Sequence, residues 1–298
     1  MPDSTIGFIG LGAMGEPMAR NASSAGLRVV IYDANPAALE RAASWGATVC
    51  DSLADLAQRS THVVTVLPAD GHVRDVVGEL IAANPVLTIL DFSTIGPWTF
   101  MECAHTAEEA GGKLLAGALT RGVEAAQAGT LALYLDDVVR EDSTAMSVVD
   151  AISSSVTFTG GAGTAKTVKL LNNLVVGVNV ALIAEVLTVG EKAGIDPAAL
   201  LGALTQGSSN SFAMRSHFVR HALAGDLGAG KFSTQYMLKD LRLVSELARR
   251  SGQSALFGGL ATSMYRGTIA IGHGDSYYPA VWYWTNRAAG FAPKGDPS

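Results

Sequence analysis

Hydrophobic and polar positions divide the chain into two stretches of different rhythm. From residue 4 to about 160, short apolar runs recur, among them STIGFIG, RVVIYD, HVVTVLP, TILDFS, KLLAGAL, TLALYL and SVTFTG, separated by segments rich in Ala, Glu, Arg and Leu. Such runs read as buried strands, and their regular exchange with helix-patterned segments predicts an α/β fold with a mostly parallel, doubly wound sheet. After TGGAGTA the strand signal fades. The remainder reads as helix: a long apolar segment over about 166–193, then DPAALLGAL with Asp196 as N-cap and Pro197 in the first helical position, then YMLKDLRLVSELARRSG. The expected domains are residues 1–162, built on the sheet, and residues 163–298, all-helical and organised on the long helix. The closing GFAPKGDPS reads as a frayed tail.

Composition narrows the class. With 48% apolar residues, 16% charged residues and 33 glycines in 298 positions, the chain is no disordered segment and is long enough for two cores. A net charge of -6 and 21 scattered basic residues give no footprint for nucleic acid. Asn172, Asn173, Asn179 and Glu185 interrupt the long apolar run, which makes it a poor membrane span and predicts a buried core helix. Cys50 and Cys103 have neither metal-site spacing nor disulfide density, and MPDSTIGFIG carries an acid where an export signal carries positive charge. The expectation is a reducing compartment, the cytoplasm. His217 and His221 share a helix face in HFVRH but lack the Glu of H-E-x-x-H, so the reading is ordinary helix surface and no metal. Asp136, Asp137, Glu141 and Asp142 read as charges of a turn and a helix start, and Trp282, Tyr283 and Trp284 as core or subunit contact.

Three stretches carry candidate chemistry. In IGFIGLGAMGEPMARN, the loop Gly10, Leu11, Gly12, Ala13, Met14, Gly15 has G-x-G-x-x-G spacing between a strand and a helix, where bare backbone lets a pyrophosphate approach a helix N-terminus. A second strand follows and ends at Asp33, placed to accept hydrogen bonds from the adenosine ribose. An acid there repels a 2'-phosphate and no Arg follows it in DANP, so the expected cofactor is NAD rather than NADP. In DFSTIGPW, at the carboxyl end of a strand, two readings stand: Ser93 and Thr94 serve ligands at the nicotinamide end, or they cap the helix that Pro97 begins.

The third stretch is AKTVKLLNNLVVGVNVALIAEV, residues 165 to 186. Lys169 and Asn173 lie four apart on one helix face, with Asn172 beside them, so an amine and a carboxamide can meet one small polar substrate. Burial favours the neutral amine, which suits a group that takes a proton from an alcohol and returns it to a carbonyl. Lys166, nearly one turn earlier, is expected to reach out to solvent.

Taken together, GFIGLGAMGEPMARN, DFSTIGP, GTAKTVKLLNN and LKDLRLV, in this order and spacing, resemble the β-hydroxyacid dehydrogenases, the family of 3-hydroxyisobutyrate, tartronate semialdehyde and 6-phosphogluconate enzymes. The resemblance covers nearly the whole chain. It implies a Rossmann domain followed by an all-helical domain, a homodimer or homotetramer, a small anionic substrate and hydride transfer. It further implies that Lys169 is the catalytic acid/base, that Asn173 holds the substrate, that Lys239 reaches the cofactor and that Leu67 and Pro68 belong to the loop passing over the dinucleotide.

One loop departs from the family. Relatives read D-x-P-V-S-G-G where this chain has AGALTRG at 116 to 122, so Ala116 replaces the acid, Ala118 the proline, Thr120 the serine and Arg121 the first glycine. Thr120 keeps a hydroxyl and Gly122 the open backbone for an acid group. Arg121 has two readings, a second anchor for a carboxylate or sulfonate, or a surface arginine. Other functions of the same fold stay open: sulfolactaldehyde reductases, which resemble this chain in that arginine, imine reductases, which generally lack the lysine, and non-catalytic dinucleotide-binding scaffolds.

Overall fold

The computed structural model describes residues 4–291, so all but the first two residues of the expected tail lie outside the described residues. Contacts divide the chain into residues 1–169 and 170–298. The expected boundary at residue 162 precedes the long helix, whereas this division falls inside it.

The first unit contains β1 (Thr5–Ile9), α1 (Gly15–Ser24), β2 (Arg28–Tyr32), α2 (Pro36–Ser44), β3 (Thr48–Val49), α3 (Leu53–Arg59), β4 (His62–Thr65), α4 (Asp70–Ala83), β5 (Thr88–Asp91), α5 (Pro97–Ala110), β6 (Lys113–Thr120), α6 (Gly122–Gln127), β7 (Leu131–Leu135), α7 (Ser143–Ile152) and β8 (Ser153–Phe158). One sheet holds all eight strands in the order β3-β2-β1-β4-β5-β6-β7-β8, and every pairing is parallel except β6 with β7. The two-residue β3 is the strand that hydrophobic pattern did not predict, being too short to form a run.

Chain order reverses between β1 and β4, and the crevice outside the carboxyl ends of strands at such a point is where ligands of doubly wound sheets bind. Two clusters fill the unit. One, including Ile6, Phe8, Ile31, Leu90 and Leu133, takes in α1 and α7; the other, including Val63, Leu80, Ile89 and Phe100, takes in α3, α4 and α5. Coverage on both faces is why β1, β4, β5 and β6 read as continuous apolar runs, whereas β8, the last strand in the order, has no buried residue and corrects the reading of SVTFTG as a buried strand.

The helical unit follows from α8 (Thr164–Lys192), with α9 (Pro197–Leu204), a π-helical segment Ala213–Ala222, α10 (Thr234–Arg250), α11 (Leu256–Ala270) and α12 (Val281–Ala288). Asp196 caps α9 through the Ala198 and Ala199 N–H groups at 3.0 Å, with Pro197 in the first turn, as the sequence suggests. Trp282 and Tyr283 join the core with Val180, Leu187, Phe218, Leu241 and Tyr265.

Two expectations are corrected here. The helix α8 is not buried on every side: Leu171, Val175, Leu182 and Val189 are 47%, 59%, 54% and 62% exposed, so one stripe of it is open while Val180, Ala184 and Leu187 are buried. By length and composition it could also cross a membrane, its most apolar window having a mean hydropathy of 1.9. His217 is not helix surface. It is 9% exposed, its Nδ1 meets the Tyr277 hydroxyl, and the rings of Phe212, Tyr277 and Tyr278 contact it edge-on. It shares the buried face of its segment with Ala213, Met214 and Phe218.

Burial, with a smaller contribution from His221, pushes the His217 imidazole down to about 4. A histidine in the unfolded chain binds a proton below about 6.5, the folded one only below about 4, so the unfolded state holds more protons between these values and stability falls as pH is lowered through them. The expected loss is about 3 kcal/mol at most. Denaturant unfolding at pH 7 and pH 4.5 should therefore show a smaller acid-induced loss for His217→Gln than for the native chain; equal losses would exclude this histidine as the cause.

Candidate active site

The glycine loop leaves β1 through Gly10, at φ 89°, where a Cβ would lie 2.3 Å from the Val66 carbonyl oxygen. A Cβ on Gly15 would lie 1.9 Å from the Gly10 carbonyl oxygen, so helix, loop and strand pack too closely for side chains at either position. Gly12 differs: nothing lies within 4 Å of the place its Cβ would take. The loop is thus tight against the protein at its ends and bare at its middle. No side chain caps α1; the Glu16 N–H donates to the Gly12 carbonyl at 3.2 Å and Pro17 has none, so an anion would meet the N–H groups of the loop and of Gly15. Asp33, at the end of β2, accepts from the Leu11 N–H at 2.6 Å and the Asn35 N–H at 2.7 Å, which fixes the loop and holds the carboxylate beside it. Ala13 and Met14 complete the turn between Gly12 and α1. These residues fit a dinucleotide: bare backbone for the pyrophosphate and an acid for the ribose.

Beside this loop, β4 leads into Leu67 and Pro68, and β5 into Phe92, Ser93 and Thr94. The Leu67 N–H donates to the Ser93 hydroxyl oxygen at 2.8 Å, and that hydroxyl donates to Asp91 Oδ1 at 2.6 Å. Thr65 donates to the same oxygen at 2.7 Å. Ser93, read as a ligand for substrate, is 1% exposed, and its hydroxyl ties the fold together instead. Nor is it a cap, because α5 begins from Gly96 with Pro97 in its first turn. Thr94, half-buried, follows at the sheet edge.

The lysines exchange their expected places. Lys166 is the buried one, at 1% exposure, and its Nζ lies 2.7 Å from both Asp91 Oδ2 and the Asp91 carbonyl and 2.9 Å from the carbonyls of Ser93 and Gly117. Lys169 is half-buried and donates to the Leu119 carbonyl at 2.8 Å. Sheet register gives the reason. The last β5–β6 pair is Asp91 with Ala116, beyond which β6 continues alone on that side to Thr120. The Ala116 carbonyl accepts from the Asp136 N–H on the β7 side, so by alternation the Gly117 and Leu119 carbonyls face the side that β5 has left. The lysines supply the donors that a longer β5 would have supplied.

The start of α8 is held by Asp136, which is 1% exposed and accepts from the N–H groups of Gly163 at 2.6 Å and Ala165 at 2.8 Å and from the Thr164 hydroxyl at 3.2 Å. Burial raises its carboxyl above the usual range, against these hydrogen bonds. Its neighbour in the acidic cluster, Asp142, caps α7 and pairs with His62.

In the substituted loop, Thr120 donates its hydroxyl to the Ala132 carbonyl at 3.1 Å. Arg121 is the one non-glycine residue with positive φ among those described, at 78°, and Gly122 shares that value. The backbone of a glycine pair is therefore kept although one glycine is gone, at about 1 kcal/mol of strain. The guanidinium donates to the Thr130 carbonyl at 3.1 Å and the Ser154 hydroxyl at 2.9 Å, contacts that match the surface reading of Arg121. No side chain caps α6 after it.

In the helical unit, Asn173 is 5% exposed; its Nδ2 donates to Asp240 Oδ2 at 2.6 Å and its Oδ1 accepts from Asn172 at 3.1 Å. Lys239, read as a cofactor ligand, lies 3.0 Å from Asp240 Oδ1 in an ion pair. Sequence reasoning missed the Asp91–Lys166 pair of the first unit and, in the second, Asp240 as the partner of Asn173. An acid closing the apolar run TILD was the available signal for the first, and the acid following Lys239 for the last.

Comparison with known proteins decides the family. The NAD-binding domain of 6-phosphogluconate dehydrogenase, as a family model, matches residues 5–160, and that of NADP-dependent 3-hydroxyisobutyrate dehydrogenase matches residues 163–281. The chain belongs to the β-hydroxyacid dehydrogenases. Among relatives of this dehydrogenase, the 2-(hydroxymethyl)glutarate dehydrogenase of Eubacterium barkeri is 31% identical over 93% of each chain. The probable mitochondrial 3-hydroxyisobutyrate dehydrogenase of Dictyostelium discoideum is 29% identical over 95% of this chain and 91% of its own. Among solved structures, the Mycobacterium tuberculosis 3-hydroxyisobutyrate dehydrogenase with L-serine superposes with a TM-score of 0.84 at 30% identity, covering 94% of this chain and 98% of that one. The chain is accordingly an oxidoreductase of the NAD(P)-dependent hydroxyacid dehydrogenase type, with a Rossmann domain and a helical region after it.

Proposed function

We propose that this dehydrogenase interconverts a small β-hydroxy acid, of the 3-hydroxyisobutyrate kind, and its semialdehyde, with Lys169 as acid/base. The observation that carries the reading is the Lys169 Nζ on the Leu119 carbonyl, at the open edge of β6 where the carboxyl ends of the parallel strands gather. A carbonyl accepts from an amine in either protonation state, so the nitrogen keeps its place while it gains or loses a proton. NAD, when bound, accepts the hydride from the carbinol carbon. Lys169 takes the hydroxyl proton in that direction and returns it in the other. Asn173, one turn further along α8 and held by Asp240, orients the alcohol.

The acid group fits the backbone N–H groups from Arg121 and Gly122 onward, where α6 starts without a side-chain cap; the Thr120 hydroxyl, donating to Ala132, serves as their neighbour. With its guanidinium on Thr130 and Ser154, Arg121 lends no support to a sulfonate anchor. Asp33 supports NAD over NADP, because a second anion beside its carboxylate is repelled. Cys50 and Cys103 are free and buried, which supports a reducing compartment such as the cytoplasm, and burial pushes both thiols up to about 11, which makes them unreactive. The exposed stripe Leu171, Val175, Leu182 and Val189 on α8, with Leu256, Phe257 and Leu260 at 75%, 72% and 66% exposure on α11, supports a homo-oligomer in which a second copy covers it.

Three outcomes test these readings. Lys169→Ala should lower kcat by about a hundredfold or more while NADH still binds. Turnover near the native rate would remove the mechanism, and a panel of hydroxy acids assayed for NADH production would name the substrate. Asp33→Ser should narrow the ratio of kcat/KM for NAD over NADP by about tenfold; an unchanged ratio would relieve Asp33 of that role. Light scattering should give a dimer or tetramer for the native chain and a smaller species for Val175→Glu, whereas a monomeric native chain would remove the oligomer.

A further inference from the structure

Lys166 has no part in the proton transfer above, yet its side chain and that of Asp91 are both 0% exposed. Two charges removed from water are not favoured for their own sake, since an apolar pair of similar volume commonly does as well. What such a pair supplies is geometry. The oxygens around the Lys166 Nζ belong to the end of β5, to the turn after it, and to β6 at Gly117, where β5 stops. The lysine itself belongs to the first turns of α8.

The contacts continue on both sides. Along β6, Gly117 holds Lys166 and Leu119 holds Lys169, two carbonyls on one edge and about 7 Å apart. Lys166 therefore fixes the register of the helix against the strand, and with it the point that Lys169 reaches. Across the sheet, Asp91 gives Oδ2 to Lys166 and Oδ1 to the Ser93 hydroxyl, whose oxygen in turn holds the Leu67 N–H. An unbroken run of hydrogen bonds thus joins the lysine helix to the Leu67 and Pro68 loop.

We propose that Lys166 is a positioning residue: through Asp91 and Ser93 it holds the Lys169 amine and the Leu67 loop in one register, and so sets the rate of the chemical step rather than the affinity for either ligand. The inference rests on Lys169 being the acid/base. Its test is the pair Lys166→Met with Asp91→Asn, which leaves no buried charge without its partner. In a folded double variant, NADH should bind within about threefold of the native Kd and the substrate KM should change as little, while kcat falls by about thirtyfold or more. The deuterium isotope effect on kcat should rise, and a crystal structure should find the Lys169 Nζ away from the Leu119 carbonyl.

A folded double variant with native kcat and Lys169 still on Leu119, whatever its melting temperature, overturns the proposal. If circular dichroism finds the pair unfolded, Lys166→Arg keeps the charge but not the ammonium geometry, and the same readouts decide. Lys169→Ala, assayed in parallel, separates the two ideas. Its loss of turnover beside an unimpaired double variant defeats only the positioning role, whereas its retention of turnover defeats both.

Discussion

Strand β6 outruns β5 by four residues, from Gly117 to Thr120, and much of the site is a consequence of that mismatch. A strand that loses its neighbour while still inside a protein has carbonyls to satisfy. Here the donors come from lysines at the start of α8. The more deeply placed Lys166 needs a counter-charge, and Asp91, the last residue of β5, stands where the gap opens. Removing either partner alone would strand a buried charge, a loss of about 3–5 kcal/mol.

The dinucleotide loop depends on a similar economy of space. Gly10 and Gly15 are required by the protein's own packing, whereas nothing in the protein crowds Gly12, and the same G-x-G-x-x-G spacing hides this difference. Asp33 has two duties that the motif also runs together. It accepts from the Leu11 N–H and so shapes the glycine loop, and under the proposed function the same acid faces the adenosine ribose.

What was legible in the sequence followed from periodicity and from short-range geometry. Buried parallel strands announce themselves as apolar runs, Asp196 and Pro197 mark a helix start, and the glycine spacing marks the turn after β1. What was not legible depended on where elements end against one another. Lys166 and Lys169, three apart, share a face of α8, and nothing in AKTVK says which meets the carboxylate; the end of β5 decides it. Ser93 sits in a motif suited to ligands, yet the proximity of Asp91 and Leu67 claims its hydroxyl. His217 lies among the rings of Phe212, Tyr277 and Tyr278, two of them far along the chain, so no local pattern foretells its burial. Arg121 keeps the glycine-like backbone of the residue it replaces in the family loop, and there the family pattern, not the arginine itself, carried the signal.

The two lysines also illustrate how one helix turn can carry opposite electrostatic tasks. Asp91 gives the buried Lys166 ammonium its counter-charge, which suits a fixed post. The Leu119 carbonyl is a partner that a neutral amine satisfies as well, so a proton can come and go without the nitrogen losing its anchor. Under the proposed function, an anchored neutral amine keeps a lone pair for the substrate hydroxyl, and one N–H held in place narrows the directions in which that lone pair points. A carboxylate in place of the Leu119 carbonyl would have made a firmer contact but would have favoured the protonated amine. The partner of each lysine is therefore set by which oxygen the strand edge offers it.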